Sequence, residues 1–86
     1  MEIIVKTPTT EEKSEMQKNP TWGCEVSEFD RHYDSTEIAL IIEGEVTVTY
    51  DGGSVSFKAG DYVVFPKGLS CVWKVSKAVK KHYLFV

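Results

Sequence analysis

Asp30, His32, Glu37 and Cys71 are, in this 86-residue sequence, the side chains whose type and spacing together could hold a metal ion or move protons. Asp30 and His32 are two residues apart, and in an extended strand that spacing sends both side chains to one face. Glu37 follows an Asp34-Ser35-Thr36 turn that can return it to their side on the neighbouring strand. Cys71 shares a face with Trp73 and Val75, and that face is expected to look inward. Carboxylate, imidazole and thiolate are competent ligands for manganese, iron, nickel or zinc, and a thiolate tilts the choice toward zinc or iron. Three anionic ligands with one neutral imidazole would bind a divalent metal but leave it a weaker Lewis acid than three histidines would.

Each residue also has a plainer reading. Cys71 is a small buried hydrophobe if it packs and does not ligate. Asp30 is a strand-end acid, and His32 an exposed strand residue. Glu37 is the hardest to set aside, because it begins an otherwise apolar strand and a buried carboxylate needs a partner. A structural salt bridge to Arg31 or to a lysine is the alternative to a metal. Trp22, Tyr33, Tyr62, Trp73 and Tyr83 read mainly as core or barrel lining, with one or two free to wall a ligand pocket by stacking. Tyr33, Glu37, Tyr62 and Trp73 are the candidate ligand-binding residues. His82 reads as a surface residue and Cys24 as packing. No serine stands with an evident His and Asp partner for nucleophilic catalysis.

The elements that must position these residues are short strands. Ile3 to Lys6 reads as a strand. Thr9-Thr10-Glu11-Glu12 is a capping box that opens a short helix from about Thr10 to Gln17, stopped by Asn19-Pro20. From Thr21 the pattern has a period near two. Strands are expected at Phe29–Tyr33, at Glu37–Ile42 (apolar on both faces and broken by Glu43-Gly44), and at Glu45–Tyr50. Asp51-Gly52-Gly53 makes a hairpin turn. Val55 and Phe57 continue the alternation. Further strands follow at Tyr62–Phe65, around Cys71, Trp73 and Val75, and from about Val79 to Phe85. Such spacing of strands and turns predicts an all-β sandwich or barrel.

Length sets one domain, with residues 1–20 an N-terminal strand and helix and residues 21–86 a barrel. A chain this short gains from self-association, so a homodimer is expected, its interface on the apolar outer faces of Glu37–Ile42 and Tyr62–Phe65. The net charge of −3 argues against nucleic acid as a partner. Lys74, Lys77, Lys80 and Lys81 read as a solvated face, or else as a docking patch for an anion or an acidic partner. No apolar run is long enough to span a bilayer, and no signal-peptide core is evident. Two separated cysteines fit a reducing compartment. A cytoplasmic location is the expectation, with a removed organelle-targeting segment as the alternative.

Two blocks bear a family resemblance. Glu37 is followed by six residues and Gly44, and Gly60-Asp61-Tyr62-Val63-Val64-Phe65-Pro66-Lys67-Gly68 forms a Gly-x5-Pro-x-Gly run. Together they resemble the two blocks of the cupin superfamily, the RmlC-like jelly rolls. Trp22, Ser27-Glu28-Phe29-Asp30, Tyr33-Asp34, Phe65-Pro66-Lys67-Gly68-Leu69, Cys71-x-Trp73 and Lys81-His82-Tyr83 are similar to a small subgroup. It includes the cupin domains of (S)-ureidoglycine aminohydrolase and of an ethanolamine-utilisation protein. The resemblance implies a cupin-type β-barrel in which Asp30, His32, Glu37 and Cys71 converge near the mouth. Cupins commonly use three histidines and a glutamate there. The aminohydrolase, a manganese enzyme that releases ammonia, has an acid at the first histidine position, which Asp30 would match. His32 would match a retained histidine, whereas Cys71 departs from the set.

Three functions follow. The preferred one is a small-molecule binding module with a degenerate metal site. The second is a divalent-metal enzyme acting on a small nitrogenous substrate, and the third a structural or regulatory homodimer.

Overall fold

The computed structural model describes residues 1–86. The chain runs β1 (Ile4–Lys6), α1 (Thr10–Met16), β2 (Thr21–Cys24), β3 (Ser27–His32), β4 (Glu37–Tyr50), β5 (Gly53–Lys58), β6 (Tyr62–Phe65) and β7 (Ser70–Phe85). The all-β barrel expectation holds, with α1 the one helix. Thr9 accepts from the Glu12 backbone N–H at 3.1 Å, and the Glu12 side chain accepts from the Thr9 N–H at 2.9 Å. The capping box is therefore formed as read, and Lys6 ties it to β1 through Glu12 at 2.8 Å.

All strands belong to one antiparallel sheet ordered β1-β6-β4-β7-β2, with β3 also on β7 and β5 also on β4. The two long strands β4 and β7 pair along most of their length. Each changes its other neighbour partway: β4 from β6 to β5, and β7 from β3 to β2. The sheet thereby closes over a single core of Val46, Val48, Phe57, Val63, Phe65, Trp73, Val75 and their neighbours.

Two expected breaks are absent. Glu43-Gly44 does not end a strand; it is a bulge inside β4, where the pairing with β7 shifts between Ile41 and Val46. Likewise the strands expected around Cys71–Val75 and from Val79 form one β7. Gly44 makes the bulge possible. Its φ is +101°, and an added Cβ would stand 2.6 Å from Val79 Cα and nearer still to the Ala78 carbonyl. Only glycine tolerates both.

The outer face of β4 and β6, expected as a dimer interface, is in part covered by the chain itself. Met16 of α1 packs on Leu40 and Tyr62, with Ile38 and Val64 beside them.

Candidate functional site

Pairing across the ladders fixes which side chains share the inner face, since directly opposed residues point the same way. Glu37 lies between Phe65 on β6 and Phe85 on β7. Lys81 lies between Ile41 on β4 and Trp22 on β2. Arg31 on β3 opposes Cys71, and Phe29 opposes Trp73. These inner positions converge on one cluster of charge in an aromatic surround.

Glu37 is fully buried and Lys81 is 3% exposed. Lys81 Nζ donates to Glu37 Oε2, and Arg31 Nη2 donates to Glu37 Oε1 at 3.2 Å. The Lys81 ammonium also lies 4.8 Å from the Trp73 ring centre, 5.0 Å from Trp22 and 5.9 Å from Phe65. The Arg31 guanidinium lies 4.6 Å from the Tyr33 ring. These distances suit attraction of a cation to a ring face, which strengthens as water is removed. Burial pulls the Lys81 ammonium below its ordinary value of 10.5, with Glu37 opposing that shift.

A cavity of about 160 Å³ opens onto the cluster, lined by Trp22, Arg31, Glu37, Lys81, Tyr83 and Phe85. Two cations face one carboxylate, so the cluster carries surplus positive charge. The Arg31 Nε, the Tyr33 hydroxyl and the Trp73 Nε1 are buried without hydrogen-bond partners. Burial raises the Tyr33 phenol well above its ordinary range, and Glu37 adds to the shift.

The four candidate metal ligands do not gather here. On β3 the buried phase is Phe29 and Arg31, continued by Tyr33, so Asp30 and His32 point outward and are exposed. The expected phase is reversed. Glu37 enters the interior alone, and its oxygens are engaged by Arg31 and Lys81. Cys71 is buried and opposes Arg31, but its Sγ donates to the Arg31 carbonyl at 3.7 Å. Burial raises the Cys71 thiol, with Arg31 opposing, which favours the protonated form over a thiolate ligand. No group of three or more His, Cys, Asp or Glu side chains is placed to hold a metal ion. Two cationic heads on the only inward carboxylate would repel a divalent cation, so the residues present do not fit one.

The candidate ligand-binding residues divide as well. Glu37 lines the cavity, and Trp73 lies beneath Lys81 within the core. Tyr33 is 1% exposed and stacks on Phe65 with ring centres 4.9 Å apart. Tyr62 is on the opposite side of the sheet, under α1 with Lys6 over its ring, because it shares the phase of Val64. Outside the barrel, Ser70 and His32 Nδ1 are 2.7 Å apart, and His32 Nε2 lies 3.6 Å from Asp34. That Ser-His-Asp chain escaped the sequence reading. Its second contact is too long for a hydrogen bond, and with His32 and Asp34 side chains 56% and 95% exposed, water reaches both.

The alternative expected for Glu37, a salt bridge to Arg31 or to a lysine, is what forms, with both kinds of partner engaged, although Lys81 was not singled out as that lysine. Lys81 falls beside Lys74, Lys77 and Lys80 in the sequence, yet it shares the parity of Cys71, Trp73, Val75 and Val79, all of them buried. Arg31 likewise falls between Phe29 and Tyr33 in the inward phase. For Arg31 the flanking aromatics Phe29 and Tyr33 were the available signal, whereas for Lys81 the bulge interrupts the alternation. Phe85 was missed too, at the end of the same row as Glu37.

A small antiparallel barrel with its polar cluster inside one end is the architecture of the cupins. The chain belongs to the EutQ-like cupin domain family, whose model matches residues 11–83. It is similar over 99% of its length to the whole of a DUF861 family protein from Thermotoga maritima, at 45% identity and a TM-score of 0.94. A DUF861 family protein from Pseudomonas syringae matches 77% of the chain and 29% of its own length, at 28% identity and a TM-score of 0.69. The Clostridium difficile EutQ protein shares the fold at 22% identity and a TM-score of 0.70, covering 96% of this chain and 66% of that one. Comparison with curated proteins gives no match.

Proposed function

We propose that this cupin binds a small molecule bearing a carboxylate, in the cavity between Trp22, Arg31, Lys81, Tyr83 and Phe85, and that it does so without a metal. The observation that carries this reading is the charge of the cluster: two cationic heads share one buried carboxylate at the bottom of an aromatic-walled cavity. A surplus cation away from bulk water attracts an anion. Arg31 is the anchor, since its side chain remains 30% exposed and its Nε–H is unpaired while Nη2 holds Glu37. A guanidinium offers a planar, two-point surface to a carboxylate. Trp22, Tyr83 and Phe85 supply apolar contact for the remainder of the ligand. At about 160 Å³ the cavity is smaller than the roughly 300–1,000 Å³ of drug-sized sites, which limits the ligand to a few carbons.

The test is thermal stabilisation and calorimetry with short-chain carboxylates, beside amines and neutral amides of the same size. Carboxylates alone should stabilise the protein, and Arg31→Leu should abolish the effect while the fold persists. Equal response to all three classes would refute the reading.

A further inference from the structure

The inference rests on the binding proposal above and names the reacting group within the same cavity. We infer that Lys81 is a carbonyl-trapping amine, forming a Schiff base with the keto group of a 2-oxo acid whose carboxylate is held by Arg31.

Three features of the geometry combine. First, the Lys81 side chain borders the cavity, whereas Lys74 and Lys80 are exposed on the outer phase of β7. Second, its Nζ touches Glu37 Oε2, so a proton acceptor stands within one hydrogen bond of the ammonium. Third, Trp22 and Trp73 flank Nζ at 5.0 and 4.8 Å and limit its access to water. An amine shielded from water beside a base is the arrangement that activates lysine as a nucleophile, and the downward pull of burial on Lys81 acts in the same direction. The charged groups acting on Lys81 are Glu37 and Arg31, with the Cys24 thiol as the third titratable neighbour.

The substrate class follows from spacing. Lys81 and Arg31 bond the two oxygens of one carboxylate, so both heads stand around a single small group at one end of the cavity. A ligand that meets both needs its carboxylate and its electrophilic carbon on adjacent atoms, as in a 2-oxo acid. Its side group would lie against Trp22, Tyr83 and Phe85.

The step balances without any further reactant. The Lys81 ammonium passes a proton to Glu37, and the amine lone pair attacks the keto carbon as the C–O π pair moves to oxygen. A proton shifts from nitrogen to that oxygen by way of Glu37, giving the carbinolamine. Glu37 then protonates the hydroxyl, which leaves as water while nitrogen forms the C=N bond. One protonated imine and one water replace one ammonium and one ketone, and the regenerated Glu37 carboxylate pairs with the iminium.

The test is reductive trapping of the intact protein. Wild type is incubated with pyruvate and cyanoborohydride, and the adduct is located by peptide mass spectrometry. Lactate, which keeps the carboxylate but has no keto group, is the control. The expected result is one adduct per chain, on Lys81, absent with lactate and slowed about tenfold or more in Arg31→Leu, as befits loss of a charge-assisted anchor. Mapping in the wild type needs no Lys81 variant to fold; Lys81→Arg, which keeps the charge, should give no adduct where it folds. Stabilisation by both pyruvate and lactate without an adduct on Lys81 would overturn the Schiff base and leave binding intact. Adducts spread over Lys74, Lys77 and Lys80 as in heat-denatured protein would overturn it equally. If neither acid stabilises the protein and no adduct forms, both proposals fail.

Discussion

Lys81 and Trp22 face each other across the β2–β7 ladder, and the lysine ammonium lies 5.0 Å from the centre of the indole. Trp22 is 36% exposed, so it forms the wall between the buried ion pair and solvent. It also meets Trp73 edge-on at 6.2 Å, which holds its ring in place. Trp22→Leu keeps apolar cover but removes the ring face. We expect a loss of roughly 0.5–2 kcal/mol, the range of a partly desolvated cation–π contact, in denaturant titration. In a Lys81→Met background the cost should shrink, since a double-mutant cycle isolates the shared interaction.

Glu37 is the counter-ion for two cations, and its removal should be the most damaging single change at the cluster. Glu37→Gln leaves Lys81 and Arg31 without compensation in a dry site, with an expected cost of roughly 3–5 kcal/mol by urea unfolding. Lys81→Met should cost less, because Arg31 still neutralises Glu37. Pairing Glu37→Leu with Lys81→Met should recover part of the loss, as apolar replacement of a buried ion pair commonly does.

How far the sequence revealed this site depended on where alternation was legible. The strand from Glu37 was readable because a lone carboxylate precedes an apolar run, and the capping box at Thr9 was readable because its four residues are local. The phase of β3 was not. Asp30 and His32 share one face and Arg31 the other, and nothing between Ser27 and Tyr33 except the aromatics marks which face is buried. One residue of phase exchanges the two sets completely. The same applies to β7, where the bulge region opposite Gly44 separates Cys71–Val75 from Lys81. Parity survives that bulge, but only the ladder shows that it does. Tyr62 was misplaced because β6 is apolar on both faces, one facing the core and the other α1.

The pH dependence of stability should carry a Lys81 signature. Burial lowers this group in the folded state, so between its depressed value and the ordinary 10.5 the unfolded chain holds more protons. Stability contributed by Lys81 therefore rises with pH across that window. Tyr33 and Cys71 are raised by burial, and their contributions fall once pH passes their ordinary values of 10.0 and 9.0. The difference between wild type and Lys81→Met, followed by urea unfolding from neutral to alkaline pH, separates the two signs. A wild-type advantage that grows with pH is the expected outcome.

Gly44 sits in the β4 bulge that separates the stretch of the β4–β7 ladder carrying Glu37 and Lys81 from the stretch carrying Trp73. Its positive φ costs a non-glycine residue about 1–2 kcal/mol before any contact is counted. At Gly44 the added methyl would also meet the β7 backbone, whereas at Gly60, with φ +94°, it would meet nothing within 4 Å. Gly60→Ala should therefore cost about 1–2 kcal/mol. Gly44→Ala should cost clearly more and should also weaken carboxylate binding, measured by unfolding and calorimetry on the same preparations.

The outward phase of β3 leads to an expectation for metal. His32 contacts Ser70 and Asp34 in solvent, and Asp30 is exposed, so neither can reach Glu37 through the sheet. Protein purified without a histidine tag and incubated with manganese, iron, nickel or zinc should retain none of them stoichiometrically by elemental analysis. His32→Ala and Asp30→Ala should change stability by no more than about 0.5 kcal/mol, as surface substitutions do, and should leave carboxylate binding unaltered. Stoichiometric metal lost on His32→Ala would require β3 to slip by one residue, carrying Arg31 out of the cavity. The same preparation should then lose its response to carboxylates. Metal content and carboxylate stabilisation are therefore expected to be mutually exclusive, and one sample measured both ways decides between them.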